Sequence, residues 1–193
     1  TLNGSDRAYG PPVLYAGRHS VLYRNDGGTF TDVSDEAGIE RVNQTGGAMG
    51  KALAVTFVDL QMDGLPDIVV ANDTVQNFVF LNRGDGGFDE IGSMTGIAFD
   101  NRGDATGAMG IDAADYANDG GLGIGIGNFA NETTSFYVQQ PNQPLQFADM
   151  SDSEGIGSPS RLKLSFGLLF FDYDLDGRLD LLQANGHLED EIN

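Results

Sequence analysis

The sequence predicts an all-β fold built from β-propeller blades, about three four-stranded units that form a partial or oligomer-completed propeller. Three observations predict it. An acidic motif returns three times with a stride of about 57 residues. A second, glycine-rich motif keeps the same beat. The segments between them are short, β-branched or aromatic, and bounded by glycine and aspartate.

The acidic motif runs from Asp59 to Asp67 and again from Asp172 to Asp180, with a degraded copy from Asp115 to Gly123. The second motif runs from Leu22 to Phe30 and from Leu81 to Phe88, with a worn copy between Phe136 and Phe147. Ahead of the acidic loops, the stretches from Ala54 to Val58 and from Leu164 to Phe171 read as strands. Behind the loops the strands are Ile68 to Ala71, Leu122 to Ile126 and Leu179 to Ala184. Uninterrupted apolar runs of this length suit strands covered on both faces. The stretch from Asn77 to Leu81, a turn from Arg83 to Gly87 and a return from Phe88 to Ile91 add a hairpin. Four strands per repeat is the pattern of a propeller blade. Helical repeats are disfavoured, because glycine interrupts every candidate helix.

The chain reads as one repeat domain, residues 1–193, with approximate units 1–72, 73–128 and 129–193. Asn3-Gly4 aligns with Asn185-Gly186, so the units are expected in permuted register, the first enlarged between Arg7 and His19. Three blades leave two open faces, and either further chain or copies joined head to tail would cover them.

Composition removes whole classes of function. Ten basic against 29 acidic side chains give a net charge of −19, which repels nucleic acid and anionic lipid and attracts cations. The chain has no cysteine, which excludes disulfides, thiolate metal sites and cysteine nucleophiles. No apolar run is long enough to suggest membrane insertion. The only imidazoles, His19 and His187, lie in unrelated contexts and read as loop hydrogen-bonders. No serine elbow, phosphate loop or zinc-binding helix is present, so the chain is expected not to be an enzyme.

The acidic loops carry the chemistry. Calcium takes six to eight oxygens, and a tight loop converges alternate side chains on one point. Asp172, Asp174, Asp176 and Asp180 place carboxylates at positions 1, 3, 5 and 9, with the backbone carbonyl of Arg178 at position 7. Gly177, at position 6, permits the positive φ that closes the loop. The first loop offers Asp59, Asp63 and Asp67, with Gln61 as a neutral oxygen and the Leu65 carbonyl. One charge fewer predicts weaker binding there. The middle loop keeps Asp115 and Asp119 but has Ala117 and Gly123 at the other positions, with Asn118 and Asp112 as nearby oxygens, so only a weak site is expected. Carboxylates crowded without a cation repel one another.

An EF-hand wants an acidic residue at position 12, where these loops carry Val70, Ile126 and Gln183. Dockerin-type loops lead into helices, and thrombospondin calcium repeats lean on cysteines. What remains resembles the FG-GAP or VCBS repeat of integrin α-subunit propellers, and within that group the bacterial relatives of cartilage acidic protein with ASPIC/UnbV-type architecture. The residues that carry the likeness run from Leu22 to Val33, Gly110 to Tyr116, Gly127 to Glu132, and Phe166 to Asp180 followed by Ala184 to His187. The resemblance implies an exported protein, extracellular, at the cell surface or periplasmic, whose cofactor is Ca2+ held between the first two strands of several blades. It also implies a scaffold for cell adhesion or self-assembly, whose partners are other proteins or copies of itself. The rival reading is an accessory propeller of a larger carbohydrate- or lipid-active enzyme or adhesin.

Two Arg-Gly-Asp tripeptides, at Arg83 and Arg102, are explained by turn chemistry. Sequons at Asn3, Asn43, Asn72 and Asn131 make glycan attachment an expectation if the chain passes through a eukaryotic secretory route. Glu189, Asp190 and Glu191 read as a solvated terminus.

Overall fold

The computed structural model describes residues 10–186. The expectations placed on Asn3, Gly4, Arg7, His187 and Glu189 to Glu191 lie outside the described residues. Among the described residues the fold is all-β, with twelve strands, a 3-10 turn at Pro12–Leu14, and two one-turn helices, α1 (Gly92–Thr95) and α2 (Gly157–Ser160).

Two sheets are complete antiparallel blades. The first runs in the order β3 (Ala52–Val58), β4 (Asp67–Asn72), β5 (Phe78–Asn82) and β6 (Phe88–Glu90). The second repeats it as β7 (Ile111–Ala114), β8 (Gly123–Ile126), β9 (Ser135–Gln140) and β10 (Gln143–Asp149). The register is conserved between them. Ile68 faces Phe80 and Val69 faces Val79 in the first blade, while Ile124 faces Tyr137 and Gly125 faces Phe136 in the second. Two further sheets have two strands each: β1 (Tyr23–Asn25) with β2 (Phe30–Asp32), and β11 (Ser165–Phe171) with β12 (Asp180–Asn185).

Position within the repeat identifies these halves. Each acidic loop joins strands one and two of its blade, so β11 and β12 are inner strands. The glycine-rich motif marks the outer hairpin, β5–β6 in the first blade and β1–β2 at the start. The described chain therefore holds an outer pair, two whole blades and an inner pair.

The blades pack face to face, and alternation along each strand supplies the two layers. Leu60, Val69, Ala71, Val79 and Ile97 of the first meet Ile124, Ile126, Tyr137 and Phe147 of the second. Tyr137 is fully buried, and its hydroxyl donates to the Phe99 carbonyl at 3.0 Å. The opposite face of the first blade holds a second core of Ile68, Val70, Phe78 and Phe80, covered by Ala37 and Ile39 from the segment after β2. A third contact joins the second blade to β11, where a Cβ on Gly125 would lie 2.8 Å from Leu168 Cδ2. That closeness explains the glycine in an otherwise Ile-rich strand.

Burial of the inner strands is uneven. β4 and β8 are buried along their whole length, as their apolar runs predict. β3 and β12 are not: Leu53, Val55 and Phe57 on β3, and Leu169 and Leu182 on β11 and β12, are about half exposed. Among the described residues, no sheet covers these faces.

Candidate metal centre

The three acidic loops have one backbone shape. At position 1, Asp59 Oδ1 and Oδ2 accept the N–H groups of Asp63 (3.0 Å) and Gly64 (2.7 Å). Asp115 does the same with Asp119 (3.1 Å) and Gly120 (2.9 Å), and Asp172 with Asp176 (3.1 Å) and Gly177 (2.8 Å). At position 5, Asp63, Asp119 and Asp176 each accept the N–H of position 7, from Leu65, Gly121 and Arg178, at 2.9 Å. At position 6, Gly64, Gly120 and Gly177 have φ of 86°, 86° and 88°.

Position 4 also lies in the left-handed region, at Met62 (57°), Asn118 (56°) and Leu175 (63°). Asparagine tolerates that conformation, but methionine and leucine adopt it at a cost of about 1–2 kcal/mol. Nothing in the sequence flags this strain, because the residue types at position 4 are ordinary. It lies in the backbone angles alone.

These two left-handed positions also link the loops. Met62 Cε lies 3.9 Å from the point where a Cβ on Gly120 would sit. Asn118 Nδ2 donates to the Gly177 carbonyl at 2.5 Å. Position 4 of each loop thus reaches position 6 of the next, and the loops form a continuous row along one rim.

The last loop is the strongest candidate for a cation. Oxygens of Asp172, Asp174 and Asp176 lie within 4.8 Å of one another, and no other three carboxylates among the described residues gather so closely. Asp180, the first residue of β12, lies outside that cluster, and its Oδ2 accepts the Tyr173 N–H at 3.1 Å. The Arg178 guanidinium caps the Asp176 carboxylate, with Nε 2.9 Å from Oδ2, and holds its titration below the usual carboxylate range. The donor set is hard oxygen in an exposed loop, which fits calcium. Asp172, Asp174, Asp176, Asp180 and the Arg178 carbonyl would hold the ion.

In the first loop Asp67 is 2% exposed, and its two oxygens accept the N–H groups of Leu60 (2.9 Å) and Asn82 (2.8 Å). Burial pushes its titration upward, those two hydrogen bonds oppose the shift, and the charges of Asp63 and Asp59 add to it. Burial also pushes Asp59 upward, but the N–H groups of Gly64, Asp63, Met62 and Gln61 outweigh it and leave Asp59 below its ordinary value. The Asp59 and Asp63 charges are thus close enough to act on Asp67, and a cation relieves that repulsion. Gln61 and Leu65 lie partly buried on the same turn.

In the middle loop, a Cβ on Gly123 would lie 2.7 Å from Tyr116 Cδ1 and 2.9 Å from Phe136 Cζ. The two rings meet edge to face, 4.9 Å apart. Aromatic packing therefore fills the space of the position-9 carboxylate. Neither nearby oxygen replaces it: Asp112 Oδ2 accepts the Phe170 N–H at 2.8 Å across the blade interface, and Asn118 is turned to the next loop.

The 59–122 stretch, which contains the first acidic loop and most of the second, matches the model of the FG-GAP-like repeat. The chain contains an FG-GAP-like repeat. It is 29% identical over 121 residues to cartilage acidic protein 1 of Xenopus tropicalis, covering 62% of this chain and 17% of that protein. It is 26% identical over 154 residues to cartilage acidic protein 1 of Homo sapiens, covering 80% of this chain and 21% of that protein. The chain thus spans about a fifth of the length of these curated relatives. The FG-GAP-like repeat and the all-β blades agree with the resemblance drawn from the sequence.

A structural residue the sequence reading passed over recurs at the end of each second strand. Asn72 and Asn128 are buried; the amide of each donates to a loop carbonyl, that of Gln76 (2.9 Å) and of Thr133 (2.7 Å). Asn72 Oδ1 accepts the Lys51 N–H, and Asn185 Oδ1 accepts the Ser165 hydroxyl in the inner pair. In the folded protein the Asn72 sequon is therefore enclosed. The two Arg-Gly-Asp stretches are turns, and Arg83 is engaged by Asp89 at 3.1 Å.

Proposed function

We propose that the chain is an exported, calcium-stabilised repeat scaffold that works by binding other proteins, copies of itself included, and not by catalysis. The observation that carries the reading is the trio Asp172, Asp174 and Asp176 in a loop whose backbone shape recurs twice. Calcium in these loops supplies charge neutralisation and a cross-link between strands one and two of a blade, so its binding energy is folding energy. The last loop is the tighter site, the first the weaker, and the middle loop contributes geometry without tight binding.

The −19 charge supports an extracellular setting, where calcium is abundant and acidic loops are filled. Among the described residues no helix is long and apolar enough to cross a membrane, and the exposed apolar strands point to protein partners. Because the chain matches only about a fifth of each relative, a second reading is an accessory segment of a larger adhesin or enzyme. Isothermal titration of the purified chain with calcium tests the leading reading. Two unequal sites are expected, and Asp172→Ala removes the tighter one. Absence of calcium uptake overturns it.

A further inference from the structure

We infer that Asn118, on the middle loop, is a positioning residue for the cation site of the last loop: its side-chain amide crosses between blades and holds the peptide that aims two of that site's ligands. The inference rests on the calcium reading above and gives the middle loop a part in it.

The contact is polar and specific. Asn118 Nδ2 donates to the Gly177 carbonyl at 2.5 Å, bridging residues 59 apart in the chain. That carbonyl and the Arg178 N–H belong to one planar peptide unit. The Arg178 N–H donates to Asp176 Oδ1 at 2.9 Å, and the Arg178 carbonyl, next along the chain, is the backbone ligand at position 7. A hydrogen bond to the oxygen of a peptide polarises it and strengthens the bond its N–H donates. One relay therefore runs from the Asn118 amide through the 177–178 peptide to the Asp176 carboxylate. The other side of Gly177 is held from within the loop, because its N–H donates to Asp172 Oδ2 at 2.8 Å. With both of its peptides fixed, Gly177 keeps its left-handed turn, φ 88°, although glycine is the residue freest to leave it. Ligands aimed in advance lower the cost of ordering them around an ion.

Asn118 suits this task where its counterparts do not. It occupies position 4 with φ 56°, a conformation that asparagine adopts more readily than methionine or leucine. At the same position Met62 offers only a methyl group, 3.9 Å from the point a Gly120 Cβ would occupy. Nor is the Asn118 amide needed to close the middle loop. Asp115 does that, through the Asp119 and Gly120 N–H groups at 3.1 and 2.9 Å. Ala117 and Gly123 leave this loop short of ligands, yet its bend persists and keeps Asn118 pointed at Gly177. A loop without its own carboxylate set thus serves the site of its neighbour. Linkage makes the effect mutual: calcium at the last loop strengthens the Asn118–Gly177 contact, and with it the seam between the second blade and the β11–β12 pair.

Asn118→Gly tests the inference, since it removes the donor and retains the left-handed backbone. Calorimetric titration with calcium is expected to show the tighter Kd raised about fivefold, the loss of one neutral hydrogen bond, with the weaker site unchanged. Met62→Gly, the same truncation one blade earlier, leaves the tighter Kd as it was. In chelator, the Arg178 N–H exchanges with solvent faster in Asn118→Gly than in the native chain, a readout that needs no ion. Calcium in turn slows exchange at the Asn118 side-chain amide of the native chain. No calcium uptake by the native chain defeats the calcium reading, and this inference with it. Uptake with equal tighter-site Kd for the native chain and Asn118→Gly, or equal weakening of both sites, overturns the inference alone.

Discussion

Replacing Asp174 with alanine separates the ion from the loop that holds it. Asp174 is exposed, and its one backbone contact, the Asp176 N–H at 3.3 Å, is shared with Asp172 at 3.1 Å. The loop without calcium therefore loses almost nothing. With calcium the ledger differs: at a free concentration 100 times Kd, a bound ligand stabilises the fold by about 2.7 kcal/mol. Losing one of four carboxylates weakens binding by about tenfold, since ligand charge sets the affinity of such loops. At the same calcium concentration the stabilisation falls to about 1.4 kcal/mol. The difference of about 1.3 kcal/mol corresponds to about 3–5 °C in Tm for a chain of this size. Thermal unfolding by calorimetry, in calcium and in chelator, reads both quantities. Equal calcium-induced shifts for Asp174→Ala and the native chain would refute the reasoning, as would a fall in Tm seen equally in chelator.

Three other outcomes follow from the geometry. Gly123→Ala drives a methyl group into the Tyr116 and Phe136 rings and costs about 1–3 kcal/mol in chemical denaturation, with or without calcium. Asn128→Ala removes the acceptor for the Thr106 hydroxyl and the donor for the Thr133 carbonyl and Ser135 Oγ, and costs about 2–4 kcal/mol; a value near zero discredits the asparagine as a buried staple. Glu132 accepts the Gly107 N–H at 2.7 Å, yet burial first, with the Asp73 and Asp100 charges behind it and Arg102 opposing, raises its titration above the ordinary 4.5. A raised carboxyl favours the protonated fold, so its penalty is absent at low pH and grows as pH rises through the folded value. Glu132→Gln keeps the hydrogen bond and removes the charge. It should melt higher than the native chain at neutral pH and level with it in acid, and the opposite order defeats the assignment.

Much of the fold was written in the spacing. The stride between Asp59, Asp115 and Asp172 marks the three strand-one to strand-two connections, and the turn at Arg83 to Gly87 marks the outer hairpin. Apolar runs located β4, β5 and β8 because burial on both faces removes alternation. The grouping of strands into sheets was not legible, since a repeat read in the sequence has no privileged starting point. Nor was the half-exposure of β3 and β12, whose apolar residues look like core until the partner sheet is counted. At the site, the carboxylates of the last loop were readable from their alternation, which convergence on one point demands. The strain at Met62 and Leu175 was not, because left-handed backbone at an ordinary side chain leaves no mark in composition. The filling of the Gly123 position by Tyr116 and Phe136 also depends on contacts between separate strands.

The two hydrogen bonds that each position-1 aspartate accepts let a loop fold on its own carboxylate. A blade that loses the side chains at positions 3 and 9 thus keeps its bend, its seat in the row and its angle to its neighbours. Ligand content and particle geometry become separable properties, so this architecture can gain or shed ions blade by blade over evolutionary time without altering its curvature.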